Sequence, residues 1–137
     1  FTGAADGTKL PIFAIIPRKT PIENFESPLN VEVTYKSGNS TFDDEIILMY
    51  LQRIVLAYKI QKSFSKLLLI IDQARCHLTD KVKKFCANNS IHLVFIPPRL
   101  TNLLQPADVA WFSTIKKSYK HKWNHWYIYE QKTYTIN

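Results

Sequence analysis

Apolar residues gather along this chain in a few distinct patterns, and each pattern predicts its own element. Leu67-Leu68-Leu69-Ile70-Ile71 is an unbroken apolar run that stops at Asp72. A run so short and so apolar predicts a strand buried on both faces, central in a parallel or mixed sheet. Ile91 to Ile96 is a second run of this kind, ended by Pro97-Pro98. Between the two, Val82, Phe85 and Cys86 fall at i, i+3 and i+4, with Lys81, Lys83 and Lys84 on the other side. That spacing predicts a helix, opened near Leu78 or Thr79 and stopped by Asn88-Asn89-Ser90. Strand, helix, strand then predicts a right-handed crossover and two parallel neighbouring strands.

Upstream, Asp6-Gly7 lies between two apolar blocks, which predicts a hairpin of 1–5 with 9–16 in which Asp6 serves the turn. Pro17, Pro21 and Pro28 mark an irregular surface connection. Asn30 to Tyr35 alternates apolar and polar residues and reads as a short, half-exposed strand. Asp43, Asp44 and Glu45 place negative charge where a helix begins, complementing its dipole. Ile46, Ile47, Met49, Tyr50, Ile54, Val55, Leu56 and Tyr58 carry that helix on for about four turns. Asp108 opens a last helix, from Val109 to Trp126 or beyond. Its aromatic stripe is Trp111, Phe112, Tyr119, Trp123 and Trp126, with Ile115 among them. Its basic set is Lys116, Lys117, Lys120, His121 and Lys122. The stripe reads first as core and second as a platform for stacking bases. The segment from Tyr127 to Asn137 reads as a weak strand or a frayed end.

The chain has 137 residues, 46% of them hydrophobic and 13% aromatic, so one globular domain with a real core is expected. The net charge of +7 favours a polyanionic partner, nucleic acid first and an anionic membrane surface second. Cys76 and Cys86 read as free thiols of a reducing compartment, and no second ligand group stands at zinc spacing. His121 and His125, at i and i+4, lack a third ligand and the acid of a metalloprotease motif. No apolar run approaches the roughly 20 residues of a membrane span. The chain opens on Phe1 and therefore reads as a piece of something longer.

Two acids stand out. Asp72 ends the first buried strand, and Asp108 follows the second by way of a loop, Arg99 to Ala107. A strand-end carboxylate is a metal ligand, a general base or simply a cap. If the strands are parallel neighbours, both carboxylates lie at one edge of the sheet. Like charges brought together resist ionising unless a cation sits between them. Magnesium or manganese, which prefer oxygen ligands, would resolve that repulsion. On a basic chain this chemistry points to cutting or joining nucleic-acid strands.

The residues around these acids resemble a known family. Asp72-Gln73-Ala74-Arg75-Cys76-His77 looks like the Asp-Asn-Ala-x-x-His segment of DDE-superfamily transposases of the pogo, Tigger and jerky type. Phe95-Ile96-Pro97-Pro98-Arg99-Leu100-Thr101 resembles that family's strand-Pro-Pro-x-x-Thr stretch, and Leu104-Gln105-Pro106-Ala107-Asp108 its Leu-Gln-Pro-Leu-Asp motif. The segment Ala5-Asp6-Gly7-Thr8-Lys9-Leu10-Pro11 looks like the hairpin after its first strand. The resemblance runs from Phe1 to about Trp123. It implies an α/β, RNase H-like mixed sheet with flanking helices, N-terminally truncated here, since the first acid of the triad lies before the hairpin. Asp72 and Asp108 match the second and third acids, as catalytic residues and as ligands of magnesium or manganese. The family's two-metal site becomes a weak or single one in this chain, which is expected to be inactive alone. Gln73 and His77 would support the site. Lys81, Lys83, Lys84, Arg99, Lys116, Lys117, Lys120 and Lys122 would grip DNA. The implied setting is the nucleus, with DNA as partner, no membrane, and a homodimer through the intact protein. Gln73, Arg75 and Ala107 depart from the family's usual Asn, Pro and Leu. Those departures suggest, as the alternative, a domesticated and inactive DNA-binding module. A third reading is an unrelated α/β domain whose strand-end acids are caps.

Overall fold

A computed structural model describes residues 1–38, 41–100 and 111–130. The chain divides into two compact units, Phe1–Pro98 and Arg99–Asn137.

In the first unit, a tight turn starts the chain. Gly7 sits at φ +86°, a conformation that favours glycine, and Asp6 Oδ1 accepts from the Thr8 amide at 2.8 Å. Ala4 N donates to Thr8 O, and Gly3 bridges Lys9 antiparallel. The expected hairpin is thus present but brief. The chain then enters β1 (Ile12–Ile16), which pairs parallel with β2 (Val31–Tyr35). β3 (Leu67–Asp72) pairs parallel with β4 (Ile91–Ile96), with Leu67 opposite Ile91 and Asp72 opposite Ile96. Parallel pairing of those two strands is as the crossover pattern requires. The described residues form two separate two-stranded sheets, not one mixed sheet.

A continuous helical rod lies between the two sheets. It comprises α1 (Asp44–Tyr50), a π-helical stretch (Leu51–Leu56) and α2 (Ala57–Gln61). Its apolar residues form two stripes. Ile47, Leu51 and Val55 pack with Leu69, Val82, Cys86 and Ile91, while Ile46 and Ile54 pack with Leu10 and Phe13. Spacing of four residues keeps each stripe on one side of the rod. Tyr50 joins the second cluster, edge-on to Phe13 at 5.9 Å, and its hydroxyl lies 2.7 Å from Thr2 Oγ1. The start of the chain is thereby tied to the rod.

Asp43 caps α1, accepting from the Ile46 amide at 3.0 Å and from Lys36 Nζ at 2.5 Å. The Lys36 ammonium, and then the Ile46 amide, hold its carboxyl below the usual range. Asp43→Ala is expected to cost about 1 kcal/mol by denaturant unfolding. The folded-state pKa is depressed, so this stabilisation is complete above the unfolded value of about 3.9 and fades as pH falls through the lower folded value. Between pH 7 and 5 the wild type and Asp43→Ala should therefore keep a constant stability difference, which shrinks only below about pH 4.

α3 (Asp80–Asn88) opens at Thr79, whose hydroxyl accepts from the Val82 amide, and closes where the Asn89 side chain donates to Phe85 O at 2.8 Å. Both ends fall where the residue types place them. The burial of β3 corrects the sequence reading. Leu69 is buried, but Leu68 and Ile70 are 61% and 59% exposed, and Val94 on β4 is exposed beside them. The rod and α3 cover one face of the β3–β4 pair, so the strand is not buried on both.

In the second unit, α4 (Phe112–His125) continues as a π-helical turn, Trp126–Glu130. The segment after Trp126 is helical through Glu130, where a strand or frayed end was expected. The expected loop of Thr101 to Ala107 and the helix start at Asp108 lie outside the described residues.

Candidate functional site

Asp72 is the last residue of β3, so its carboxylate stands at the carboxyl edge of the parallel pair. The six residues after it fold back over that edge. Ala74 N donates to Asp72 Oδ1 at 3.3 Å, which turns the chain, and a short 3-10 turn, Arg75–His77, follows. The turn returns His77 to the acid. Its Nδ1 lies 2.7 Å from Asp72 Oδ1 and 3.0 Å from the Asp72 carbonyl oxygen. Both neighbours of Nδ1 are acceptors, so Nδ1 carries the proton and donates. Nε2 is then the ring's remaining nitrogen.

This arrangement treats the two carboxylate oxygens differently. Oδ1 is engaged by His77 and Ala74. Oδ2 has no hydrogen-bond partner among the described residues. Asp72 keeps 33% of its side-chain exposure while His77 keeps 13%. A half-buried imidazole thus fixes the orientation of a more open carboxylate. The expectation that His77 faces the same edge as Asp72 agrees with this geometry, and its ring is not lost among Val82 and Phe85.

Cys76 sits in the same turn and had no role in the sequence reading. Burial, and after it the nearby Asp72 and Asp43 charges, push its thiol pKa up. Asp43 and Asp72 are far apart in sequence, so no local signal could have placed both near this thiol. Cys86, on the buried face of α3, is pushed up to about 11 by burial. Neither thiol is poised as a thiolate at neutral pH in the folded chain. Iodoacetamide at pH 8 should label Cys76 slowly and leave Cys86 untouched in the folded chain. Equal labelling of both, read by mass spectrometry, would contradict the burial of Cys86.

The other candidates separate. Gln73 is exposed beside Asp72. Lys81 pairs with Asp44 at 3.1 Å, joining α3 to α1, and so is partly committed within the fold. Lys83 and Lys84 are exposed on α3, and Arg99 is exposed at φ +69°. Lys116, Lys117, Lys120 and Lys122 are exposed on α4. An open hollow of about 430 Å³ is lined by residues including Lys83, Cys86, Ile91, His92 and Phe95. Asp72 is not among its walls, so this hollow and the strand-end chemistry are different places. Asp108 lies outside the described residues. Among those described, no three His, Cys, Asp or Glu side chains gather as a metal cluster.

An α/β chain with a parallel strand pair, and a histidine-held carboxylate at its carboxyl edge, defines a class of strand-end site. Residues 2–136 match the family model described as DDE superfamily endonuclease. The chain belongs to that family. It is 31% identical over 127 residues to a mouse protein called "Pogo transposable element with KRAB domain" and 29% identical over 128 residues to the human protein of that name. Each alignment covers 90% of this chain and 20% of the relative, so the chain spans about a fifth of their length. It is also 36% identical over 55 residues to "MFS-type transporter clz9" of Cochliobolus lunatus, covering 40% of this chain and 6% of that protein. Among the described residues no helix is long and apolar enough to cross a membrane. No solved structure matches the chain significantly.

Proposed function

We propose that this chain is the catalytic portion of a DNA endonuclease that works by metal-dependent phosphoryl transfer, on an RNase H-like fold. The observation that carries the reading is Asp72: a strand-end carboxylate with one oxygen held by His77 and the other open. Magnesium or manganese suits this donor, because a carboxylate oxygen is a hard ligand. Asp72 and Asp108 would hold the ions. When bound, a pair of such ions stabilises both the attacking and the leaving oxygen of a displacement at phosphorus. His77 is a positioning residue, fixing Asp72 through Nδ1. Gln73 presents its amide beside the acid. Lys83, Lys84, Lys116, Lys117, Lys120 and Lys122 neutralise phosphates, with Arg99 and, less freely, Lys81. The nucleus is the matching location, and a homodimer the matching assembly of the whole protein.

The test is a salt titration of binding to duplex DNA beside a plasmid-nicking assay with manganese. Binding should weaken with a log–log slope near −0.9 for each phosphate contact. The chain alone should leave the plasmid uncut, because two acids, Asp72 and Asp108, would hold only a weak or single ion. The same chain joined to a segment that supplies a third acid should nick it only when the metal is present. Affinity that does not change with salt would reject the basic surface. Nicking by that extended chain in a chelator would reject the metal mechanism.

A further inference from the structure

We infer that the helix of the second unit is a binding surface for single-stranded DNA, through stacking of bases on its exposed aromatic ladder. Tyr119, Trp123 and Tyr127 stand at i, i+4 and i+8 and are 65%, 49% and 59% exposed. Side chains so spaced form one stripe along a helix. Tyr119 and Trp123 are already near-parallel, with ring centroids 6.2 Å apart and planes 23° apart. Trp126 leans on Trp123 at 5.2 Å and steadies it. Rings held in place lose little freedom when a base stacks on them, and such stacking accepts any base.

The stripe is bordered by cations. Lys116 falls in line with it one turn before Tyr119, Lys120 borders it on one side and Lys122 on the other, at about 100° per residue around the helix. Phe112–His125 contains Lys116, Lys117, Lys120 and Lys122 and no acid. This charge complements a phosphate backbone running beside the rings. The axial spacing selects the kind of strand. Four residues of helix advance about 6 Å, whereas paired bases in a duplex advance about 3.4 Å. Bases stacked at the duplex interval, and turned edge-outward, cannot meet successive rings of this ladder. An unpaired strand with its bases spread can. An anionic membrane would also attract the lysines, but the stripe holds rings with polar tips, and Ile115 is its aliphatic member. Little apolar depth is available for insertion.

The inference rests on the reading that DNA is the partner, and goes beyond it in naming the strand state and the residues. The whole chain is titrated with fluorescein-labelled oligothymidine and with a duplex of equal length, at one salt concentration. Oligothymidine should bind more tightly. Trp123→Ala and Tyr119→Ala should each weaken oligothymidine about tenfold, given roughly 1–3 kcal/mol per stacked base. Duplex affinity should change by less than about twofold, since phosphate contacts remain. Trp123→Phe, which keeps a ring, should restore most of the loss, and helix content by circular dichroism should be unchanged. Equal loss for single strand and duplex would overturn the stacking surface, as would preference for duplex. Stronger binding to oligouridine than to oligothymidine would assign the surface to RNA and overturn it too. Binding to phosphatidylserine vesicles that is lost in Trp123→Ala, with oligothymidine unaffected, would overturn it in favour of a membrane. Failure to bind either nucleic acid would overturn the proposed function as well. Duplex binding retained while oligothymidine binding does not respond to Trp123→Ala would overturn this inference alone.

Discussion

Asp72→Asn is expected to abolish manganese binding while leaving the fold in place. The amide keeps the shape of the carboxyl group. Its oxygen can still accept from His77 Nδ1 and from the Ala74 amide, which now lie at 2.7 Å and 3.3 Å. The turn from β3 into the 3-10 segment should therefore form as before. The amide has no charge, and a hard cation that retains most of its waters has little else to hold it. Calorimetry should show heats at the level of dilution, a loss of at least about tenfold in affinity, or 1.4 kcal/mol. Asp108→Asn should lose the same binding if both acids share the ion. His77→Ala separates orientation from ligation. It leaves the Asp72 carboxylate but removes what fixes Oδ1, and outer partners of this kind typically contribute about 10–100-fold in metal affinity. His77→Asn, with an amide donor near the Nδ1 position, should recover part of that loss. Manganese binding unchanged in both acid variants would refute the site. Loss in His77→Ala that Asn does not relieve would reduce His77 to a residue of the fold.

Leu51→Ala is expected to have the largest effect on stability, about 2–5 kcal/mol by denaturant unfolding. Leu51 is 1% exposed and lies in the π-helical stretch between α1 and α2. It packs in one cluster with Leu69 of β3 and with Val82 and Cys86 of α3. Truncation would leave a cavity where the rod meets α3 and β3, the strand that ends in Asp72. Small domains hold only about 5–15 kcal/mol in total, so a large part of the protein's stability depends on this side chain. Leu68→Ala is the matched control. At 61% exposure it should change stability by less than about 0.5 kcal/mol. A Leu51→Ala cost below about 1 kcal/mol, or equal costs at both leucines, would contradict the packing.

These two leucines also mark the boundary of what sequence patterning could reach. Local signals were legible. Asp43 and Thr79 cap their helices, Asn89 closes α3, and Gly7 takes the positive φ of its turn, because each effect involves groups within four residues. The crossover from β3 to β4 was legible for a topological reason: a short helix between two strands of one sheet leaves them parallel. The motifs around Asp72 and Asp108 carried the family. His77 could be placed near Asp72 because a five-residue return is a local matter too.

Burial was not local. Leu67, Leu68 and Leu69 are identical in type, and strand alternation alone says only that neighbours face opposite ways. Which face meets a helix depends on the rod of residues 44–61, which packs on the side of Leu69 and leaves Leu68 outside. The parallel pairing of β1 with β2, and the division into two small sheets, likewise rest on contacts between segments distant in sequence. So does the reach of the Asp43 charge to the Cys76 thiol. The sequence by itself determined the caps, the turns, the crossover and the identity of the strand-end acid, since those follow from a few neighbouring residues. Tertiary structure alone decided which apolar face is covered and which lysine is engaged. Those depend on where distant surfaces meet, and residue type does not encode that.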